Sequence, residues 1–99
     1  MIEWDERKRS ANLVKHGADF VLIARFEMST ALVKQDARRE YGAVRQQALG
    51  YISGRLHMLV YTMRGSNLRV ISLRRATGKE VALYGQYKTA AREAKERQL

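Results

Sequence analysis

LHMLVYTMRGSNLRVISLRRA, residues 56–76, decides how this chain folds. β-Branched and aromatic residues run up to Gly65-Ser66-Asn67 and resume beyond it, the pattern of two strands joined by a tight turn. The same stretch carries Arg64, Arg69, Arg74 and Arg75, with no Asp or Glu. Strand pairing needs no arginine, so these charges ask for a partner outside the fold.

Outward from the hairpin, Ala31 to Gln35 reads as one strand and residues 42–52 as another, interrupted by Gln46 and Gln47. A charged loop, Asp36-Ala37-Arg38-Arg39-Glu40, lies between them, and Ser53-Gly54-Arg55 turns the second strand into the hairpin. Four strands with short connections make an antiparallel meander. Upstream, Ile2-Glu3-Trp4 suits a small edge strand. Asp5 then caps a helix over 6–16, with Glu6 facing the positive end of its dipole. That helix has a basic outer face (Arg7, Lys8, Arg9, Lys15) and a thin inner stripe of Ala11, Leu13 and Val14. It stops at Lys15-His16-Gly17, cations followed by a glycine. Asp19 caps a second helix over 20–27, apolar on most sides and therefore buried. Downstream, Thr77-Gly78-Lys79-Glu80 is a capping box. The C-terminal helix it opens continues through Val81, Tyr84 and Ala91 and is weakened at Gly85. Residues 88–99 are polar, either an exposed extension or a fraying end. The expected architecture is α+β in a single domain, 1–99: two N-terminal helices, a four-stranded meander and a C-terminal helix.

Ninety-nine residues with 45% hydrophobic content bury one modest core. The net charge of +9 predicts a polyanionic partner, either nucleic acid or an acidic protein, or less often an anionic membrane surface. Cysteine is absent, which excludes disulfides and cysteine zinc sites. No apolar run reaches the roughly 18 residues of a membrane span, and the N-terminus lacks the apolar core of a secretory signal. A cytoplasmic protein with no membrane partner is expected.

The charge is concentrated. From Tyr41 to Lys79 stand seven basic residues (Arg45, Arg55, Arg64, Arg69, Arg74, Arg75, Lys79) and no acid. Six of them are arginine, whose fork matches phosphate bidentately and stacks on bases. Tyr41, Tyr51 and Tyr61 lie among them, as stacking faces for unpaired bases or as packing within the sheet.

Several pieces, in order, resemble the BrnT family of toxins from bacterial toxin–antitoxin systems. They are Glu3-Trp4-Asp5, Lys8, Asn12-Leu13 and Lys15-His16-Gly17 with Phe20. Next come Tyr41-Gly42 with Arg45, Gly50 and Gly54-Arg55. Last are Tyr61-Thr62, Arg64-Gly65, Arg69, Ile71-Ser72, Arg74-Arg75-Ala76, Glu80 and Tyr84. The resemblance implies a compact fold similar to RelE-type toxins, ribonuclease activity that stops translation, and inhibition by a cognate antitoxin, BrnA. It implies too that DNA is reached only through the antitoxin complex. Relatives often carry an acid just after Tyr-Gly and an aromatic after the arginine, where this chain has Ala43-Val44 and Gln46.

RNA is cut without metal when its 2′-OH attacks the neighbouring phosphorus, which requires in-line positioning, stabilisation of phosphoryl charge and movement of protons. In this scheme Arg64 and Arg74 stabilise the charge. Arg45, Arg55, Arg69, Arg75 and Lys79 bind flanking phosphates. His16 and Tyr61 are the candidate proton carriers, with Glu80 a further one. His16 equally suits a structural role at the end of its helix, and His57 is read as structural. In a regular strand Arg74 and Arg75 point to opposite faces and Arg69 sides with Arg75. Two distant histidines and the acids Asp36 and Glu40 make a poor metal set, and no cofactor is expected. The alternative is a basic-sheet module that binds an acidic partner or nucleic acid without turnover.

Overall fold

The computed structural model describes residues 1–37 and 42–98. Its sheet has five strands: β1 (Ile2–Glu3), β2 (Leu32–Gln35), β3 (Gln46–Ile52), β4 (Arg55–Arg64) and β5 (Asn67–Arg75), in the order β1-β5-β4-β3-β2. The expected antiparallel meander is there as β2 to β5. The sheet is nonetheless mixed, because β1 joins β5 in parallel, pairing Ile2 with Leu68 and Glu3 with Arg69. The opening hairpin closes at the pair Arg64–Asn67 through Gly65-Ser66. Gly65 adopts φ 59°, the positive value that two-residue hairpin loops demand. β3 starts at Gln46, later than expected. Tyr41 and the loop residues Arg38, Arg39 and Glu40 lie outside the described residues.

One sheet face is covered by Phe20–Arg25, which is a 3₁₀ segment and not the expected α-helix over 20–27. Its bonds span three residues: Leu22 N–H donates to the Asp19 carbonyl at 3.0 Å and Phe26 N–H to that of Ile23 at 2.9 Å. Val21, Ile23 and Phe20 favour helix poorly, and packing decides the conformation. Phe20 and Ile23 bury against Ala48, Ile52, Leu59, Tyr61, Val70 and Leu73. Phe26 lays its ring over Gly50, where a β-carbon would stand 2.5 Å from the ring tip. Gly50→Ala is accordingly expected to cost about 2 kcal/mol by overpacking, measured as a lowered midpoint in urea.

α1 (Glu6–His16) is capped by Asp5, which accepts from Arg7 N–H, and by Gly17, which donates to the Leu13 carbonyl. Its orientation differs from expectation. Val14 is 89% exposed and Leu13 41%, while the buried residue is Asn12. The Asn12 amide donates to the Leu73 carbonyl at 2.7 Å and accepts from Leu73 N–H at 3.2 Å, completing the β5 edge beyond the reach of β1. It donates as well to the Ala18 carbonyl at 3.0 Å. Arg9 adds a two-pronged ion pair with Asp19 at 2.7 and 3.0 Å. A helix that docks on a strand edge must present hydrogen-bonding groups, so its polar face turns inward. At the far side of the sheet, β2 pairs with β3 alone among the described residues.

α2 (Gly78–Arg97) opens with the expected capping box between Thr77 and Glu80. Tyr84 packs with Leu49, Met58 and Val60 on the second sheet face. Its hydroxyl donates to the Thr30 carbonyl at 2.7 Å, and its ring meets Tyr51 edge-on at 5.4 Å. From Gly85 to Gln98 every residue is exposed. The polar end is thus an exposed helical extension, and it gives the molecule its 48 Å long axis against 27 and 26 Å.

Candidate functional site

Strand register arranges the second face into rows. Arg74, Met58, Leu49 and Leu32 form one, and Ser72, Val60, Gln47 and Lys34 the next. Beyond them Arg69 pairs with Thr62, and Asn67 with Arg64. Between these rows the register shifts: Val60 pairs with Ser72 but Tyr61 with Val70, leaving Ile71 as an extra residue. Such a bulge re-aims the side chains around it. Val70 and Leu68 pack in the first cluster and Ile71 in the second, so Arg69 shares the face of Arg74. The expected siding of Arg69 with Arg75 is therefore corrected by the bulge. Arg75 lies beside His57 on the opposite face, as alternation demands.

Where α1 meets this face, an open groove of about 310 Å³ runs between helix and sheet. Lys8, Asn12, Lys15 and His16 line one wall, and Arg45, Ile71 and Ser72 the other. Among the described residues no carboxylate lines it. Burial lowers the pKa of His16 below the usual histidine value, and the positive charges of Lys15 and Arg74 lower it further. The imidazole is therefore neutral at pH 7 and able to accept a proton. Arg45 reaches the groove because Thr62 and Val44 clamp the chain ahead of β3: the Thr62 hydroxyl donates to the Val44 carbonyl at 2.6 Å.

The structure brings together His16, Arg45 and, through its charge on His16, Arg74. It separates others. Arg64 lies six residues along β4 from Met58, the partner of Arg74, roughly 20 Å away at 3.4 Å per residue. The two arginines cannot hold one phosphate. Arg74 is moreover gripped by Glu80, Nη1 to Oε1 at 2.7 Å and Nη2 to Oε2 at 2.9 Å. Arg69 pairs with Glu3 at 3.0 Å. Tyr61 is 8% exposed inside the first cluster, and burial pushes its phenol up. A ring held in the core beneath the other face is poorly placed to move protons in the groove. Arg55 pairs with Ile52 of the first cluster and, with Arg75, belongs to that other side, while Lys79 stands exposed in the first turn of α2. His57 is buried, its Nδ1 2.8 Å from the Arg55 carbonyl oxygen.

Lys8, Lys15, Asn12 and Ser72 were not singled out as site residues from sequence. Their signal is spacing: positions 8, 12 and 15 share one helical face, a face read as solvated because it is polar.

Glu80 joins sheet and helix. Besides holding Arg74 it accepts from Thr77 N–H at 2.9 Å. The Arg74 guanidinium, first among several causes, holds the Glu80 carboxyl below its ordinary 4.5. A depressed carboxyl stabilises the fold fully above its unfolded pKa and loses that contribution as pH falls through the native one. Glu80→Gln should lower the melting temperature by about 10 °C at pH 7. The gap to wild type should close under acid; a gap independent of pH would refute the assignment.

Among the described residues no group of three His, Asp or Glu gathers into a metal-binding cluster, and no helix is long and apolar enough to cross a membrane. Fold and groove together define a small α+β protein with an arginine-rich open sheet face. A search of curated proteins returns no match. A family model does match: the ribonuclease toxin BrnT of type II toxin–antitoxin systems, over residues 4–80. The chain belongs to that family. The match takes in α1, the strands β2 to β5 and the first turn of α2, and leaves most of α2 beyond it. Membership implies an antitoxin partner and an RNA target.

Proposed function

We propose that this protein is a metal-independent endoribonuclease that inhibits translation and is neutralised when a cognate antitoxin covers its basic face. The single observation that carries the reading is the groove, which brings a neutral histidine together with Lys8, Lys15 and Arg45. His16 accepts the proton of the 2′-OH as its oxygen bonds to phosphorus; the P–O5′ bond breaks, and the departing 5′-oxygen takes a proton from water to leave as the 5′-OH fragment. Arg45 and Lys15 offset the charge that develops on the phosphoryl oxygens. Arg69 and Arg64 extend the phosphate track along the same face, with Lys8 at the groove's wall. Arg74, tied to Glu80, sets the position and field beside His16. The reaction therefore centres on the groove and not on an Arg64–Arg74 pair. The fold is RelE-like in this reading, the protein acts in the cytoplasm, and DNA is met only through the antitoxin complex.

Purified protein incubated with RNA in EDTA should release fragments ending in 2′,3′-cyclic phosphate, and added antitoxin should stop the release. Arg45→Ala, prepared identically, should be slower by about 10²-fold. RNA binding without fragments beyond the Arg45→Ala background would favour the binding-module reading instead.

A further inference from the structure

A second concavity lies on the same face, away from the groove. Met58, Leu49 and Leu32 make its floor across β4, β3 and β2, and Leu83 of α2 leans over them. Lys34 and Gln47 stand at its rim, and the cavity itself is about 60 Å³, widening at its mouth into solvent. We propose that this pocket seats one unpaired nucleobase of the RNA and so contributes to its sequence preference. The proposal rests on the ribonuclease reading above and extends it to a part of the sheet that no catalytic step uses.

The lining chooses a base over an apolar peptide side chain. Leucine faces and a methionine thioether suit either occupant. A base, however, also has a hydrogen-bonding edge and an anionic tether. The Gln47 amide offers a donor and an acceptor side by side for that edge, and the Lys34 ammonium stands beside it for the phosphate. The Glu80 carboxylate in the wall is held by Arg74 and presents little repulsion. Gln47 shares a row with Ser72 of the groove, two strands and about 10 Å away. A strand cleaved at His16 thus passes the pocket. Among the described residues a shallow depression continues past Lys34 and Gln47 toward Asp36 and Ala37.

Hexanucleotides with 2′-O-methyl sugars cannot be cleaved and report binding by fluorescence anisotropy. Removing the base at one position should weaken binding to wild type about ten-fold, the scale of one buried base. Leu83→Trp, which fills the pocket from a half-exposed helical position, should weaken the intact strand by the same factor. It should leave the strand abasic at that position unaffected. Gln47→Ala should alter which base is preferred there. Equal effects of every abasic position, or equal losses for intact and abasic strands in Leu83→Trp, would overturn the pocket. Failure of wild type to bind any hexanucleotide would overturn the ribonuclease reading itself, so the two failures are told apart.

Discussion

His16→Gln is expected to slow RNA cleavage by about 10²- to 10⁴-fold, the range lost with a general base. Its pH signature separates this role from a merely structural one. Burial and the neighbouring cations place the wild-type imidazole below the usual histidine value. The neutral form is the active one. The rate should therefore climb as pH rises through the lowered pKa and level off before neutrality. Bound phosphates favour the imidazolium, so the climb in kcat should lie at higher pH than that in kcat/KM. In His16→Gln the climb should vanish. A variant that folds and keeps both rate and profile would remove His16 from the mechanism.

Asn12→Ala should be the most damaging substitution for stability. It strands Leu73 N–H, the Leu73 carbonyl and the Ala18 carbonyl, each bonded to this amide in a buried setting. Unsatisfied buried groups cost about 1–3 kcal/mol apiece. A total of about 4 kcal/mol lowers the melting temperature by roughly 20 °C in a chain of this size. Cleavage should fall as well, since α1 carries His16 to the groove. Val14→Ser on the same helix should stay within about 0.5 kcal/mol, because Val14 is 89% exposed. If Val14→Ser proves the worse of the two, the orientation of α1 is wrong.

That pair shows where sequence reading succeeded and failed. Local chemistry was legible: the Asp5 and Thr77 caps, the Gly17 stop and both hairpin turns each follow from residues within a few positions. The meander followed from them. α1 was misread because an amphipathic pattern assumes that the apolar face is buried. A strand edge instead demands hydrogen bonds, which Asn12 supplies and Leu13 cannot. The bulge at Ile71 was hidden for another reason. Alternation in β5 looks regular, and only pairing with β4 reveals the extra residue. Arg74 was read as a phosphate ligand, and Glu80, six residues on, as a helix cap. Glu80 does both jobs, and its grip on Arg74 moves the candidate chemistry toward Arg45 and His16. Tyr61 could not be told from a surface tyrosine until its partner Val70 placed it in the core.

The two borders of the sheet are treated differently, and this bears on self-association. β1 and the Asn12 amide occupy the border at β5, so its backbone is already spoken for. The border at β2 faces outward, with Lys34 the sole charge along it. An exposed strand edge is a template for another chain, and open-ended fibres need two such edges on every copy. Here the two edges are unequal: the outer side of β1 is only two residues long, too short to template a strand, whereas β2 presents four. Among the described residues, copies that meet edge to edge would therefore do so through β2, which favours a pair over an open-ended row.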